Sequence, residues 1–245
     1  MNVFPNNRVI ISSALPLSKS GYGNQTLYMV DGFIRNNIEI PALICWNVNS
    51  TNIINDVNKP HKLKDILNIF FPDMNGNAIL KIHDYIHDID DKYIETFGNI
   101  NIYPVLSENW TEGNYKINST KLFNHICVKE QCKIIIFHQD MFSFQHISNN
   151  ESFIAHSILF APLHFYPLDK PNKLAMKHFE ILVGLCDFGM NLMKENFPEK
   201  QINKIPLCVD LNTYNIGKND KIYYKQKLGF NKQNFVCAIV SNNKE

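Results

Sequence analysis

The sequence predicts an α/β fold in which helices flank a parallel β-sheet, and three observations support this prediction. Short apolar segments, typical of buried strands, alternate with amphipathic segments, typical of helices, along the whole chain. The connections between these segments are mostly short, as in compact α/β domains. The 245 residues are 45% hydrophobic and 19% charged, a composition that can form a sizeable core.

The first part of the chain has the pattern of a strand–loop–helix–strand unit. Residues 8–14 are apolar nearly throughout, as in a strand that is buried on both faces. A polar loop that contains glycines follows at 18–24, and apolar residues then recur at helical spacing over 25–34. The apolar run 38–46 predicts a second buried strand. This order of elements is typical of a parallel α/β sheet.

The remaining elements continue the alternation, and a linker divides the chain. We predict further helices at 62–70, 119–129, 174–179, 188–196 and 221–228, and further strands at 78–83, 100–106, 133–137, 153–161, 181–185, 204–209 and 234–240. Residues 212–220 are polar and rich in Asn, which is typical of a linker. We therefore predict a first domain at 1–211 and, at 212–245, a linker, a helix and the first strand of a second domain.

The charge balance argues against a nucleic-acid partner. The chain has 24 Lys and Arg against 23 Asp and Glu, and a formal net charge of +1. Arg8 and Arg35 are its only arginines, and the lysines are scattered along the sequence. Proteins that bind nucleic acid usually show a basic excess or a basic stripe.

The cysteines and the hydropathy pattern predict a cytoplasmic protein. None of the six cysteines forms a C-x-x-C pair, and most lie in apolar runs, which favours buried free thiols in a reducing compartment. The N-terminus does not have the pattern of a signal peptide. No segment approaches the ~18 apolar residues of a membrane span. We expect no transmembrane segment, although contact with a membrane surface is compatible with the sequence.

The loop before the first helix is the first candidate site. It contains Ser20, Gly21, Tyr22, Gly23 and Asn24. Glycines let a backbone approach a ligand closely, and the N–H groups that open a helix favour an anion. A plain turn between strand and helix is the alternative. A dinucleotide site is disfavoured, because the third glycine of its fingerprint and an acidic residue after the second strand are both absent.

The second candidate site follows the apolar run 133–137. His138 comes directly after this predicted strand, and Gln139 and Asp140 add polar groups that could orient it or bind hydroxyls. In doubly wound sheets, ligands bind outside the carboxyl ends of the strands. We therefore predict that His138 is the catalytic residue, and a histidine that only packs or caps is the alternative.

Asp169 is a third candidate, and a metal site is not expected. Asp169 lies between Pro167 and Pro171, which would hold it rigidly, but a turn-forming Asp is an equal alternative. His83 and His87 have i, i+4 spacing near several Asp residues, but no H-E-x-x-H motif is present. We interpret that segment as a solvated acidic helix end.

The last third of the chain resembles a known family. Residues 186–189 (C-D-F-G) precede a helix, residues 205–210 read I-P-L-C-V-D, and Tyr214 follows. Residues 227–230 read K-L-G-F before the apolar run 235–240. In order and spacing, these segments resemble the interdomain passage of family-4-like glycosyltransferases of the GT-B type, whose pattern is I-P-x-G-V-D, an aromatic residue, a helix ending in L-G and the first donor-domain strand.

The resemblance implies a fold and an activity. The first domain would be the Rossmann-like, doubly wound N-terminal lobe that binds the acceptor, and the second would be the start of a truncated donor-binding domain. The implied reaction is retaining, metal-independent transfer of a hexosyl group from a nucleotide-sugar to a hydroxyl of a glycan, lipid or protein acceptor. The nucleotide-sugar is a co-substrate, and no cofactor is expected.

The same resemblance implies roles for individual residues. The loop at 20–24, His138 and Asp169 would face the cleft, with His138 contacting the sugar or a phosphate, and Asn242 and Asn243 would begin the donor side. Two other functions stay open. The chain could be a catalytically incomplete relic that binds a glycan or a partner, or, less favoured, a nucleotide-dependent oxidoreductase or epimerase.

Overall fold

The computed structural model describes residues 7–18, 20–46, 48, 60–104, 120–144, 152–163, 165–207, 221–231 and 233. The chain divides into two compact units, Met1–Cys208 and Val209–Glu245. This division lies close to the boundary predicted after residue 211, while the binding role of each unit stays a prediction. In the second unit, the structure describes one helix, at Lys221–Lys227. The predicted strand at 234–240 lies outside the described residues.

The first unit contains one sheet. Its strands in the described residues are β1 (Val9–Ser13), β2 (Ala42–Cys45), β3 (His61–Lys62), β4 (Asn101–Pro104), β5 (Ile134–Phe137), β6 (His156–Ala161), β7 (Ile181–Gly184) and β8 (Gln201–Lys204). Their order across the sheet is β3-β4-β2-β1-β5-β6-β7-β8. Strand β3 runs antiparallel to β4, and the other neighbours are parallel. The predicted Rossmann-like α/β fold is therefore confirmed.

Helices connect most of the strands. They are α1 (Gly21–Arg35), α2 (Leu63–Phe70), α3 (Asp91–Gly98), α4 (Thr120–Lys129), α5 (Lys170–Met176), α6 (Asp187–Asn196) and, in the second unit, α7 (Lys221–Lys227). Three short 3₁₀ segments lie at Pro72–Met74, Ala78–Asp84 and Met141–Phe144. No helix in the described parts of the chain is long and apolar enough to span a bilayer.

The order of the strands creates one switch point, between β1 and β5. The chain first adds β2 and β4 on one side of β1, and it then returns to place β5 on the other side. Strand β1 pairs with β2 and with β5, and all five of its residues are buried. The connections after β1 and β5 leave in opposite directions, so a crevice opens at the carboxyl ends of these two strands.

Two hydrophobic cores lie on opposite faces of the sheet. On one face, α1, α2 and α3 pack on β1, β2 and β4, with Leu27, Leu67 and Phe97 fully buried. On the other face, α4, α5 and α6 pack on the sheet around an aromatic cluster that includes Phe137 and Phe179. Because side chains alternate along each strand, neighbouring residues of one strand contribute to different cores.

Several elements differ from their predictions: helix α3 (Asp91–Gly98) was not predicted, and α5 lies at Lys170–Met176 instead of 174–179. Residues predicted as a strand at 78–83 form the 3₁₀ helix Ala78–Asp84, because only Ala78 and Ile82 of this apolar run are buried against one face. The strand predicted at 204–209 lies earlier, at Gln201–Lys204. This strand is at the sheet edge, and its mostly exposed polar side chains do not show the apolar pattern of a buried strand.

Replacement of Gly184, at the end of β7, by a larger residue should destabilise the fold. A Cβ atom on Gly184 would lie 2.5 Å from Met190 N and 2.9 Å from Met190 Cα, so α6 would have to move. We expect Gly184→Ala to lower the free energy of unfolding by about 1–3 kcal/mol. The matched control is Gly32→Ala in α1, where a Cβ meets nothing within 4 Å.

The control should raise the free energy of unfolding by about 0.5–1 kcal/mol, because alanine favours a helix interior. Urea unfolding of the two variants and the parent measures both effects. Equal stabilities for the two variants would contradict the close approach of β7 and α6.

Candidate functional site

A polar cleft of about 440 Å³ lies at the switch point of the sheet. Three residues of α1 (Gly21, Tyr22 and Gln25) and two residues after β5 (His138 and Asp140) line it. Loop residues Pro162, Leu185 and Leu207 complete its wall. The structure thus brings together two segments that are more than a hundred positions apart in the sequence, and both contain predicted site residues.

The start of α1 is fixed by a side-chain cap and a close backbone approach. Ser20 is the N-cap, and its Oγ accepts a hydrogen bond from Gly23 N at 3.0 Å. Gly23 is buried, and a Cβ there would lie 2.8 Å from the carbonyl oxygen of Ser18 and 2.9 Å from that of Leu15. Gly21 has nothing within 4 Å of an added Cβ. Gly21 therefore faces the cleft, whereas Gly23 allows the loop to pass close to the helix.

His138 is held by the ends of both central strands. Its backbone N–H donates to Ser12 O at 2.8 Å, which continues the β1–β5 pairing past the end of β5. Ser13 Oγ donates to His138 O at 3.0 Å and lies 3.3 Å from His138 Nδ1. Thr26 Oγ1 of α1 is 2.7 Å from the same serine oxygen. The imidazole thus has a fixed position, and only 1% of the residue is exposed.

Burial keeps the imidazole uncharged. Desolvation lowers the pKa of His138 from 6.5 to about 4. At pH 7 the ring is therefore neutral and has one N–H donor and one bare nitrogen. Ser13 Oγ engages Nδ1, and the described residues offer no hydrogen-bond partner to Nε2. Because Ser13 has one hydroxyl hydrogen and donates it to His138 O, Nδ1–H is the donor to Ser13 Oγ and Nε2 is the acceptor.

Tyr22 and Asp140 connect α1 to the segment after β5. Tyr22 Oη donates to Asp140 Oδ1 at 2.7 Å. Burial, and then the neighbouring carboxylate, raise the pKa of Tyr22 above its usual range, so the phenol stays a neutral donor. Its ring packs edge-on against the rings of His138, at 4.9 Å between centroids, and Trp46, at 5.7 Å. This arrangement joins the two halves of the cleft.

Three other predicted site residues, Asn24, Gln139 and Asp169, do not line the cleft. Gln139 is buried, and its Nε2 lies 3.5 Å from Ser12 Oγ of strand β1. Asn24 is in the first turn of α1, and its N–H donates to Ser20 O at 3.1 Å. Asp169 is the N-cap of α5, and its Oδ1 accepts from Asn172 N at 2.8 Å. Asn242 and Asn243 lie outside the described residues.

The sequence interpretation missed three residues that support the site. These are Ser13 and Thr26, which position the imidazole, and Trp46, which packs on Tyr22. Ser13 and Trp46 end, or directly follow, predicted buried strands. The carboxyl end of each predicted strand was therefore a signal that could have found them.

The described side chains that line the cleft offer hydrogen bonds and no positive charge. No Lys or Arg is among the described residues that line it, and Asp140 is its one acidic side chain. Within the described ranges, no group of three or more His, Cys, Asp or Glu side chains has the arrangement of a metal site. The chemistry available here is hydrogen bonding by a neutral imidazole, a phenol, an amide and a carboxylate.

Comparison with known proteins identifies no family. No family model matches this chain, and no curated protein matches it. Among solved structures, the chain is similar to the N-terminal domain of trehalose-6-phosphate phosphatase from Candida albicans. The two are 10% identical with a TM-score of 0.42, and the likeness covers 87% of this chain and 51% of that chain. A likeness this distant gives no information about a substrate or a reaction.

The buried neutral His138 should make folding stability depend on pH. The pKa of His138 is lower in the folded state than in the unfolded state, where it is near 6.5. Between about pH 4 and 6.5, the unfolded chain binds more protons, so stability falls as pH falls. We expect protonation of His138 in the unfolded chain to lower the free energy of unfolding by about 2 kcal/mol between pH 7 and pH 5.

Urea unfolding at both pH values measures this loss in the parent and in His138→Gln. The glutamine keeps hydrogen-bonding groups but does not titrate, so the variant should lose about 2 kcal/mol less stability than the parent over the same interval. The same pH dependence in the two proteins would show that His138 is not buried as a neutral group.

Proposed function

We propose that this chain is the acceptor-side part of a nucleotide-sugar-dependent glycosyltransferase of the GT-B type. It would transfer a hexosyl group to an acceptor hydroxyl with retention of configuration and without a metal. One observation carries the proposal: the capped start of α1 and the neutral His138 face the same cleft at the switch point of the sheet. The resemblance of residues 182–240 to the interdomain passage of that family supports the same conclusion.

The polar groups of the cleft suit a hydroxyl of the acceptor. The neutral imidazole can accept a hydrogen bond from a hydroxyl at Nε2, because its one N–H, on Nδ1, is used by Ser13. Asp140 accepts the hydrogen bond of the Tyr22 phenol and so fixes the wall of the cleft beside the imidazole. Fixed partners of this kind position a hydroxyl for attack, which accounts for much of the rate of a transfer reaction.

The start of α1 suits the phosphate of the donor. In the first turn, Gly23 N donates to Ser20 Oγ and Asn24 N donates to Ser20 O. The N–H groups of Gly21 and Tyr22 have no partner among the described residues. Two free donors at the positive end of a 15-residue helix can stabilise an anionic oxygen. Stabilisation of the departing nucleotide phosphate is the main electrostatic demand of this reaction.

A relic that only binds is the second candidate function. The observation that favours it is the missing cation: the described residues that line the cleft provide no Lys or Arg to balance a diphosphate. A site without that charge can still bind a neutral glycan through hydrogen bonds. In that case the chain would bind sugars and would not catalyse transfer.

A direct assay separates these functions. We expect the chain to bind a UDP- or GDP-sugar in a calorimetric titration and to release the nucleoside diphosphate when a glycoside acceptor is added. We expect His138→Ala to lower kcat by about 10²-fold, because a positioned general base or hydrogen-bonding group contributes about that much. His156→Gln is the control. His156 lies at the amino end of β6, whereas the cleft lies at the carboxyl ends of the strands, and its side chain pairs with Glu180.

Two results would change the conclusion. Glycoside binding with no response to any sugar nucleotide would favour the relic. Binding of NAD without a response to sugar nucleotides would refute sugar transfer and favour the oxidoreductase or epimerase.

A further inference from the structure

An apolar groove of about 520 Å³ lies beside the polar cleft, on the face of the sheet that carries α1. Its floor consists of alternate residues of three neighbouring strands: Ile136 of β5, Ile158 and Phe160 of β6, and Ile181 and Val183 of β7. Met29 and Phe33 of α1 form one wall. Polar groups are few and include Gln25, Asn36 and Asn203.

The groove exists because helices cover the two faces of the sheet unequally. On the opposite face, α4, α5 and α6 bury Phe137, Leu159 and Leu182, which alternate with the groove residues. On the groove face, the core formed with α1, α2 and α3 contains no residue of β6 or β7. Among the described residues, the second half of the sheet is therefore left without a helix on this face.

The groove adjoins the cleft. Gln25 of α1 lines both of them. At the same point, the ring of Phe160, on the groove floor, lies 5.0 Å from the ring of His138 in the cleft. The two spaces therefore share a boundary at these residues, and a ligand with a polar head in the cleft can reach the apolar space past Gln25. The combined site has the character of a ligand pocket, which is mostly apolar with a few convergent polar groups.

We propose that the acceptor is amphiphilic, with its hydroxyl-bearing head in the cleft and a hydrocarbon chain in the groove. This inference rests on the proposed function for the role of the cleft, and it narrows the acceptor from a glycan, lipid or protein to a lipid. The nearly uncharged lining excludes an ionic tail, because an unpaired charge cannot be placed there without a large loss of solvation. Burial of methylene groups provides the binding energy.

Helix α1 offers a matched pair of positions for the test. Gly21 lines the cleft and Gly32 lines the groove, and a Cβ added at either position meets nothing within 4 Å. The two glycines are eleven positions apart, which is close to three turns, so they lie on the same side of the helix. A large side chain can therefore fill either space without displacing the core.

The test is a chain-length series. Methyl, butyl, hexyl and octyl β-D-glucopyranosides, each below its micelle concentration, are titrated into the full chain by calorimetry. The groove is open on one side, so each of the seven added methylene groups is buried only in part. We therefore expect affinity to rise steadily with chain length and the octyl compound to bind about 100-fold more tightly than the methyl compound. We expect Gly32→Phe to abolish this rise and Gly32→Ala to preserve it.

Gly21→Phe tests the position of the head. It should weaken binding of every member of the series by a similar factor and leave the rise with chain length intact. The slope reports on the groove alone, so it can be present even where sugar nucleotides do not bind and the proposed function fails. Conversely, transfer to short glycosides with a flat slope would overturn the amphiphilic acceptor and leave the proposed function standing.

Three further results would overturn the inference. A rise with chain length that Gly32→Phe does not change would place the chain elsewhere on the protein. An unchanged series in Gly21→Phe would show that the head does not lie in the cleft. Self-association of the parent that Gly32→Phe removes, measured by sedimentation, would show that the groove is an interface between copies.

Discussion

The pairing of β1 with β5 is the constraint on which the rest of the structure depends. Four residues of each strand are in register, from Val9 opposite Ile134 to Ser12 opposite Phe137. This pairing places the ends of the two strands together and makes the connections that follow them leave in opposite directions. The cleft, the serine beside the imidazole and the start of α1 all follow from it. A shift of one residue would move His138 away from Ser13 and exchange the faces of every side chain in β5.

The electrostatic character of the site follows from that geometry. The end of a central strand is deeply buried, and none of the charged side chains that the structure describes forms a hydrogen bond with the ring of His138, so desolvation dominates and the imidazole stays neutral. Ser13 and Thr26 satisfy the ring and the backbone around it without adding charge. A neutral ring in a fixed position can exchange hydrogen bonds with a hydroxyl without first losing a proton. A histidine at the surface would titrate near pH 6.5 and would divide its population between two charge states.

The sequence predicted the central strands and the residues that directly follow them, because both depend on local pattern. Residues 133–137 form an apolar run that ends abruptly at a polar triplet, and β5 and His138 lie where that pattern predicts. The contact of Ser13 with His138 could not be predicted, since it requires the knowledge that β1 and β5 are neighbours. The prediction of the edge strand was wrong for another reason. Strand β8 is mostly polar and exposed, so a pattern based on burial does not detect it. The strand predicted at 78–83 was wrong because a short apolar run has no definite period, and these residues form the 3₁₀ helix Ala78–Asp84.

The alternation of side chains along β5 and β6 links the cleft to the groove. Ile135, Phe137 and Leu159 point into the core formed with α4, α5 and α6, and this core is closed. The residues between them, Ile136 and Ile158, point to the other face, where α1 covers only the near edge. Sheets of this class usually have helices over both faces, so within the described residues this half of the sheet keeps an apolar surface that no helix covers. Because α1 borders both spaces, the helix that presents its start to the cleft also forms one wall of the groove.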